Sequence, residues 1–422
     1  MTNKAFFWPN KKTLVTGPSI FAKRKERTCL DCRLHQHCSS PKMKASGAGK
    51  KGILIIGGAP NASDDAQGTQ FAGKDGSLLR RELKRHGVRL DQDCVMINAV
   101  NCRPPKDRKP KPVEVEACRT RVWSVINKMR PKLILLLGNP AIASFLAHRW
   151  KKDLGGITKW RGWCIPDQEA QAWVCAVFHP SYLLEEKTND VASVLFRRDL
   201  KAALKCLKKQ FPKRGDDLDY VTILSKKSAI LAYLFHLCKH PPEFLAYDLE
   251  TTGLKPHAKG HQIVSIAFCT SPDKTVAFLY KEEYKPYLQT ILSRKGWKIA
   301  SNIKYELVWS KVKLGCRMRG PFWDTMIFAH CFDNRREITG LKFQAYVQFG
   351  IVDYNSLIAP YLKSIDQKNG NSKNRILELL KTKQSTKQLL TYNALDSLYE
   401  MWLALKQMKD KRNDYELCKT QT

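Results

Sequence analysis

The alternation of apolar and polar stretches in the first half of the chain predicts a parallel α/β domain. Short apolar runs end in loop or turn residues, and helical segments separate them, among others at 77–86 and 192–208. Such runs are typical of strands buried in a parallel sheet, whose functional loops follow the carboxyl ends of the strands. The predicted strands lie at 53–58, 95–100, 133–138 and 174–178.

A second α/β pattern follows a stretch rich in proline, glycine and charge at 208–217, which predicts a domain boundary. Its predicted strands lie at 220–224, 244–250, 262–269 and 275–280, and its predicted helices at 226–240, 305–313, 325–332 and 387–409. We therefore expect a two-domain α/β protein. Its expected parts are a basic leader at 1–28, a first domain at 29–208, a linker at 209–219 and a second domain at 220–422.

The net charge and the length of the apolar runs limit which classes of function are possible for this chain. The 422 residues include 73 lysines and arginines against 39 acidic residues, a net charge of +34, which favours a nucleic acid as partner. The longest apolar runs are far shorter than the ~20 residues of a membrane span, and the amino terminus carries no signal-peptide core. Fourteen cysteines without a regular disulfide spacing suit a reducing compartment. We therefore expect a cytoplasmic, DNA-binding protein.

Acidic residues in the second half indicate a site for divalent cations. Asp248 and Glu250 lie two residues apart at the end of a predicted strand, so they project from one face. Two carboxylates at that place repel each other unless a cation lies between them, and oxygen ligands suit Mg²⁺ or Mn²⁺. Taken alone, such a pair more often marks a solvated strand end.

Further polar residues follow in a fixed order. Glu306 closes the segment Asn302-Ile-Lys-Tyr-Glu, and Asp324 stands where it could cap the next helix. Tyr392 and Asp396 are four residues apart and share a helical face.

These segments together resemble the three motifs of the DEDD-type 3′–5′ exonucleases, in the subtype with a tyrosine in the third motif. The resemblance covers about residues 220–410 and implies an RNase H-like exonuclease fold. It implies that Asp248, Glu250 and Asp396 hold two Mg²⁺ or Mn²⁺ ions and that Tyr392 orients the attacking water. Glu306 occupies a position where the family usually has aspartate, and we count it among the catalytic residues.

Two pairs of cysteines mark the first half. Cys29 and Cys32 form a Cys-x₂-Cys pair, and Cys102 and Cys118 are separated by fifteen residues. On spacing alone, four thiolates in two pairs suit zinc and a [4Fe–4S] cluster equally well.

The segments around these cysteines resemble family 4 uracil-DNA glycosylases. They are Gly57-Gly-Ala-Pro-Asn61, Gln70-Phe-Ala-Gly-Lys74, Asn98 to Pro105 and Phe178-His-Pro-Ser-Tyr-Leu-Leu184, in the order typical of that family. The resemblance implies a parallel α/β sandwich and a [4Fe–4S] cluster on the four cysteines, with Cys38 outside it.

In that family the pocket holds a flipped base. The resemblance implies that Phe71 stacks on uracil, Asn98 reads its polar edge and His179 stabilises the departing uracil anion. Gly58 stands where the family has a glutamate that positions or activates water, so we expect uracil excision to be weakened or lost.

The combined reading is a metal-dependent 3′–5′ DNA exonuclease of the proofreading type with a glycosylase-like DNA-binding domain. This pair of domains resembles the front of certain bacteriophage family A DNA polymerases. Only 26 residues follow Asp396, so the expectation is an exonuclease component of a split phage polymerase, with a separately encoded polymerase subunit as partner. The alternatives are a uracil-excision repair enzyme with an attached exonuclease and a non-catalytic docking scaffold.

Overall fold

The computed structural model describes residues 27–150, 154–185, 190–352 and 354–410. The predicted leader therefore lies almost entirely outside the described residues. The chain divides into two compact units, one of residues 1–214 with 346–352 and one of residues 215–345 with 353–422. No helix among the described residues is both long enough and apolar enough to cross a membrane.

The first unit consists of a five-stranded sheet with helices. Its strands are β1 (Ile53–Gly57), β2 (Cys94–Asn98), β3 (Leu133–Leu137), β4 (Ile165–Asp167) and β5 (Ala172–Val177). Its helices are α1 (Cys29–Cys32), α2 (Ala62–Gln67), α3 (Lys74–Lys84), α4 (Leu90–Asp93), α5 (Pro112–Met129), α6 (Gly138–Leu146), α7 (Ile157–Trp160) and α8 (Asp190–Lys205).

The order of this sheet is β2-β1-β3-β5-β4, and every neighbouring pair is parallel except β4 with β5. The continuous apolar runs of β1 and β3 are fully buried, as expected for central strands covered on both faces. The carboxyl ends of β1, β2 and β5 consequently lie along one edge of the sheet. Of the predicted base-pocket residues, Asn98 ends β2, Gly58 and His179 follow β1 and β5, and Phe71 follows α2. The short edge strand β4 has no counterpart in the sequence-based prediction.

The second unit is built on a six-stranded mixed sheet. Its strands are β6 (Val221–Leu224), β7 (Phe244–Thr251), β8 (Ile263–Ser271), β9 (Lys274–Leu279), β10 (Trp297–Ala300) and β11 (Phe322–Asp324). Its helices are α9 (Lys227–Lys239), α10 (Lys285–Ser293), α11 (Lys304–Trp309) with a π-helical turn (Ser310–Leu314), α12 (Thr325–Phe332), α13 (Leu341–Phe349), α14 (Ala359–Leu362) and α15 (Lys383–Met408). From Tyr346 onwards, α13 is grouped with the first unit.

The order of the second sheet is β11-β10-β7-β8-β9-β6. The β7–β8 and β8–β9 pairs are antiparallel, and the other pairs are parallel. The long helix α15 packs on β7, β8 and β9. Hydrogen bonds hold it there, since the Thr275 hydroxyl contacts the Ser397 hydroxyl at 2.9 Å in a buried position. The sheet and α15 together position the carboxylates described below.

Candidate functional site

Three carboxylates of the second unit meet where β7 faces α15. Asp248 and Glu250 leave the same face of β7, because alternate residues of a strand point the same way. Asp396 lies on α15, one turn beyond Tyr392. One carboxylate oxygen from each of Asp248, Glu250 and Asp396 lies within 4.8 Å of the other two. This group matches the three residues that the sequence assigned to divalent cations.

The electrostatics of this group favour a bound cation. Burial, together with repulsion from Asp396, raises the pKa of the Asp248 carboxyl to about 8. Burial and repulsion from Asp248 hold the pKa of Glu250 well above its usual range. Acids in such a position remain protonated unless positive charge is supplied, and a divalent cation among them supplies it. The donor set, all carboxylate oxygen, suits Mg²⁺ or Mn²⁺.

Lys342 on α13 brings a positive charge to the group. Its ammonium donates a hydrogen bond to the Tyr392 hydroxyl at 2.6 Å and lies 3.6 Å from Asp396 Oδ2. The Tyr354 hydroxyl donates to Asp396 Oδ1. Tyr392, the predicted water-orienting residue, is therefore held at the edge of the carboxylate group by a cationic partner. Sequence reasoning assigned no role to Lys342 or Tyr354, since both lie outside the three motifs.

Asn393 fixes the orientation of Asp248. Its fully buried side-chain amide donates to Asp248 Oδ2 and, at 3.3 Å, to the Asp248 carbonyl. Its own oxygen accepts from the Ser265 hydroxyl on β8 at 2.8 Å. Asn393 thus joins β7, β8 and α15. Its place directly after Tyr392 in the third motif is the signal that could have found it.

Glu306 lies on α11 and, among the described residues, stands outside the group of three adjacent carboxylates. Burial, together with repulsion from Asp248, raises its pKa well above the usual range. Glu400, four residues after Asp396 on α15, is also buried, and repulsion from Asp248 and Glu306 adds to the rise of its pKa. The Ser301 amide donates to Glu400 Oε1 at 2.8 Å, whereas Glu306 Oε2 and Glu400 Oε2 have no hydrogen-bond partner. The acidic site therefore continues beyond its three central residues.

Asp324 holds the loop that leads into α11. It caps α12 by accepting hydrogen bonds from the amides of Met326 and Ile327, as its position before Thr325 predicted. The same carboxylate accepts from the amides of Asn302 and Ile303, at 3.0 and 2.9 Å. The Asp324 carboxylate thus fixes both the start of α12 and the loop that leads to Glu306.

A cavity of about 290 Å³ opens beside Glu250. Thr251, Leu254 and Tyr305 line it together with residues of 362–374. The Tyr305 hydroxyl contacts the Thr251 hydroxyl and donates to the Gly253 carbonyl at 3.1 Å, which fixes the wall next to the carboxylates. Leu254 is 69% exposed, an apolar side chain free to contact a planar base.

The first unit assembles its predicted base pocket at the carboxyl edge of the sheet. The rings of Phe71 and His179 stack with their centroids 6.1 Å apart. Gly57 lies close to both Asn98 and Phe71. A Cβ added at Gly57 would come within 2.3 Å of Asn98 Oδ1 and 3.0 Å of the Phe71 ring. Asn98 is buried, and its side-chain nitrogen has no hydrogen-bond partner. That donor is free to bind a base.

His179 is held in a defined orientation within the pocket. Its Nδ1 contacts the Ser181 hydroxyl at 2.8 Å and accepts from the Ser181 amide at 3.2 Å. Burial lowers the pKa of His179, while the charge of Asp75 opposes that change. The imidazole is therefore neutral at pH 7 in the free protein, and it can donate a hydrogen bond from its other nitrogen.

Gly58 is the position at which the pocket lacks an acid. A Cβ built there would meet only Pro140 Cγ, at 3.7 Å, an ordinary contact distance. The backbone at Gly58 has no left-handed conformation that would require glycine. Gly58 therefore supplies no carboxylate to the pocket, although there is space for a Cβ at this position.

The aspartates nearest to Gly58 have structural tasks. Asp64 accepts from the Ala72 amide at 2.7 Å and holds the loop of Phe71, while Asp65 accepts from the Ser39 and Ser40 amides at 3.0 and 2.8 Å. Asp75, at the start of α3, is also buried and is the acid whose charge acts on His179. Sequence reasoning did not identify Asp75, because no motif marks it.

The four predicted cluster cysteines converge beside α5. Cys29 and Cys32 form α1, which packs against α5, the helix that carries Cys118. Burial and the nearby charge of Cys118 raise the pKa of the Cys102 thiol to about 12, and the Lys42 amide donates to its sulfur at 3.2 Å. Cys38, which the sequence prediction excluded, also contacts Cys102. An apolar shell that includes Leu34, Val100 and Val115 surrounds these thiols.

No three sulfurs of Cys29, Cys32, Cys102 and Cys118, which all lie in the described part of the chain, fall within 4.8 Å of one another. A zinc ion with Zn–S bonds of about 2.3 Å holds its sulfurs about 3.8 Å apart. Among the described residues, three sulfurs within 4.8 Å of one another occur in a different place, at Cys164, Cys175 and Cys206.

Comparison with known proteins supports both halves of this description. Residues 45–207 match the family model of the uracil DNA glycosylase superfamily, and residues 222–410 match a 3′–5′ exonuclease model of the DNA polymerase A type. A type-4 uracil-DNA glycosylase of Pyrobaculum aerophilum is 34% identical over 165 residues, 38% of this chain and 81% of that protein. The corresponding protein of Thermotoga maritima is 31% identical over 184 residues, 44% of this chain and 92% of that protein.

One relative spans both units. The DNA polymerase of Bacillus phage SP01 is 25% identical over 327 residues, which is 71% of this chain but only 34% of the phage protein. Among solved structures, Brucella melitensis NrnC with bound Mg²⁺ has a TM-score of 0.31 at 17% identity and covers 47% of this chain and 83% of its own. Trypanosoma brucei RNase D in complex with RNA has a TM-score of 0.36 at 14% identity and covers 46% of this chain and 65% of its own. The two family matches confirm the predicted pair of α/β domains and the predicted resemblance.

Proposed function

The chain belongs to the type-4 uracil-DNA glycosylase family through its first unit and carries a 3′–5′ exonuclease domain in its second, and from this premise we propose that it is a metal-dependent 3′–5′ DNA exonuclease whose glycosylase-like domain binds DNA. The observation that carries the proposal is the meeting of Asp248, Glu250 and Asp396 within 4.8 Å, beside the Tyr392 hydroxyl. The domain limits predicted from the sequence are part of this proposal.

Each residue of the site has a proposed task in the reaction. Asp248, Glu250 and Asp396 hold the divalent cations, and Asn393 keeps Asp248 in position for this. When bound, Mg²⁺ or Mn²⁺ generates the nucleophile from water and stabilises the leaving oxygen of the phosphodiester. The Tyr392 hydroxyl orients the attacking water, and Lys342 fixes that hydroxyl. The cavity beside Glu250 takes the terminal nucleotide of the strand.

The experiment that tests this function uses the purified full chain with Mg²⁺ or Mn²⁺ and an oligonucleotide labelled at its 5′ end. A ladder of products shortened from the 3′ end is expected. A phosphorothioate linkage at the 3′ terminus serves as the matched control substrate and is expected to slow the first cut. Internal cleavage, or no cleavage with either cation, would contradict the proposal.

The first unit supports a second candidate activity, the excision of uracil. The side-chain nitrogen of Asn98, which has no hydrogen-bond partner, and the stacked rings of Phe71 and His179 favour binding of a flipped base. Because Gly58 supplies no carboxylate, we propose that the pocket binds DNA and excises uracil slowly. The same preparation, incubated with uracil-containing DNA and then with alkali, measures abasic sites directly.

We further propose that Cys29, Cys32, Cys102 and Cys118 hold a [4Fe–4S] cluster. The cluster ties the segment around α1 to the sheet, and no reaction step depends on it. Asp65 contributes to this region, because its carboxylate holds the loop that follows Cys38. Protein prepared without oxygen is expected to be brown and to contain about four irons per chain. Stoichiometric zinc without iron at these cysteines would contradict the assignment.

The most specific part of the proposal concerns a polymerase partner. The similarity to the phage SP01 DNA polymerase extends across both units, so the two domains occur together in a protein named as a polymerase. We propose that this chain serves phage DNA replication beside a family A polymerase polypeptide. Co-purification of a polymerase at moderate salt, with mismatch removal that depends on this chain, is the expected result. Mismatch removal that is independent of the chain would leave a freestanding nuclease.

A further inference from the structure

Three cysteines of the first unit form a compact sulfur group apart from the predicted cluster. One sulfur from each of Cys164, Cys175 and Cys206 lies within 4.8 Å of the other two. Cys175 and Cys206 are buried, while Cys164 is partly exposed. No motif of either family resemblance includes these three residues, and neither proposed activity uses them.

Three separate elements of the fold bring these sulfurs together. Cys175 lies within the central strand β5, and Cys164 directly precedes the edge strand β4. Because Ile165 pairs with Val174 in the antiparallel β4–β5 ladder, the register places Cys164 opposite Cys175. Cys206 comes from the turn that follows α8, a helix packed on β5. The group therefore rests on regular elements and has little freedom to rearrange.

The three thiols also interact with one another. Hydrogen bonds from Cys175 and Cys206 lower the pKa of Cys164, so a negative charge on its sulfur is shared by the group. Contact with Cys164 raises the pKa of Cys175 well above its usual range and that of Cys206 to about 12, and the nearby charge of Lys209 opposes the rise at Cys206. Burial, together with the charge of Asp93, raises the pKa of Cys94 in the same core to about 12 as well.

We propose that Cys164, Cys175 and Cys206 form a structural site for a single thiophilic divalent ion of the zinc class. Three thiolates at the corners of a zinc tetrahedron lie about 3.8 Å apart, which is within the separation observed here. The spacing is too short to admit a polynuclear iron–sulfur core. Cys164 is partly exposed, so a fourth ligand for the ion would have to come from solvent.

Charge balance supports a divalent ion. Three thiolates with one divalent cation carry a net charge of −1, and Lys209 lies close enough to offset it. Binding displaces the thiol protons, so the affinity of the site rises with pH. The ion would link the edge strand β4, the central strand β5 and the end of α8, and would stabilise this part of the sheet.

The test measures the metal content of the full chain, purified without oxygen from cells supplied with iron and zinc. About one zinc per chain is expected in addition to the iron. Cys175→Ser should lose the zinc and keep the iron, whereas Cys94→Ser, a matched buried cysteine of the same core, should keep both. Equal zinc in the wild type and Cys175→Ser, or no zinc in the wild type, would overturn the proposal.

A second variant distinguishes a loss of the metal ion from a loss of folding. Cys164→Ser alters the partly exposed position before an edge strand, and retained iron with an unchanged circular dichroism spectrum would show that the fold persists. Cd²⁺ added to the wild-type protein should give a sulfur-to-cadmium charge-transfer band that is weakened in Cys164→Ser and retained in Cys94→Ser. A disulfide between Cys164 and Cys175 in freshly alkylated protein would also overturn the proposal, since it would remove two of the ligands.

Discussion

The two sites of this chain differ in how much of their chemistry depends on one residue. In the exonuclease site, several carboxylates lie together. Lys342, Tyr354 and Asn393 hold the side chains of this site in place through hydrogen bonds. In the glycosylase-like pocket, Phe71 and His179 stack beside the buried Asn98, but Gly58 supplies no carboxylate. The comparison teaches that an assembled set of binding groups is not by itself an activity.

The largest expected effect is the loss of nuclease activity when one metal-binding carboxylate is removed. Asp248→Ala should lower the rate of 3′ degradation by about 10³-fold or more, because Glu250 and Asp396 alone cannot hold both cations. Binding of uracil-containing DNA should stay close to wild type, since that pocket lies in the other unit. Gel-based degradation and fluorescence anisotropy measure the two properties.

Asp273→Ala is the matched control for this variant, because Asp273 is an exposed acid of the same unit. It should leave both properties unchanged. If Asp248→Ala retained the wild-type degradation rate, the carboxylate group would not be the catalytic site.

The next effect is a gain of function in the glycosylase-like pocket. Gly58→Glu should raise uracil release by about 10²-fold, the lower end of what a positioned general base contributes. The space is available, since a Cβ at this position meets only Pro140 at 3.7 Å. Alkali cleavage of uracil-containing DNA measures the rate of release.

The neighbouring glycine supplies the control for that gain. Gly57→Ala should abolish any release, because its Cβ would collide with Asn98 Oδ1. Fast uracil release by the wild type would show that another acid serves the reaction. Asp75 is then the residue to replace, since its charge acts on His179.

A third expectation concerns pH. The pKa of Asp248 is about 8 in the folded, cation-free protein against an ordinary value of 3.8, so the folded state binds the extra proton between these two values. The cation-free protein should consequently lose stability as the pH rises from about 4 to 8. Mg²⁺ displaces this proton, so its affinity should rise up to about tenfold per pH unit towards pH 8. Calorimetric titration at pH 6, 7 and 8 measures the affinity for Mg²⁺. An affinity that does not change with pH would contradict this prediction.

Local periodicity predicted that Asp248 and Glu250 share one face of a strand and that Tyr392 and Asp396 share a helical face, and the structure places them so. That these two pairs belong to one site, and that Phe71, Asn98 and His179 belong to another, was implied only by the family resemblances. The short strands β4, β10 and β11 were not predicted. Their three or four residues carry too little pattern, and their pairing depends on partners distant in the sequence.

The residues that support the sites were harder to find from the sequence. Asn393 and Glu400 share α15 with the motif tyrosine, but only the packing of α15 on the sheet shows that they face Asp248. The group at Cys164, Cys175 and Cys206 spans 43 residues and arises from strand register and helix packing. Such contacts are tertiary, and no local spacing encodes them.

The smallest expected effect distinguishes a positioning role for Lys342 from a general effect of its charge. Lys342→Met should slow degradation by roughly 3- to 10-fold, the consequence of a lost charged hydrogen bond, because its ammonium holds the Tyr392 hydroxyl at 2.6 Å. Lys383→Met, at an exposed lysine of α15, is the matched control and should leave the rate unchanged. If Lys342 acts through Tyr392, the double variant with Tyr392→Phe should be no slower than Tyr392→Phe alone. Full additivity of the two effects in single-turnover rates would show instead that Lys342 acts on the DNA or on Asp396 independently of the tyrosine.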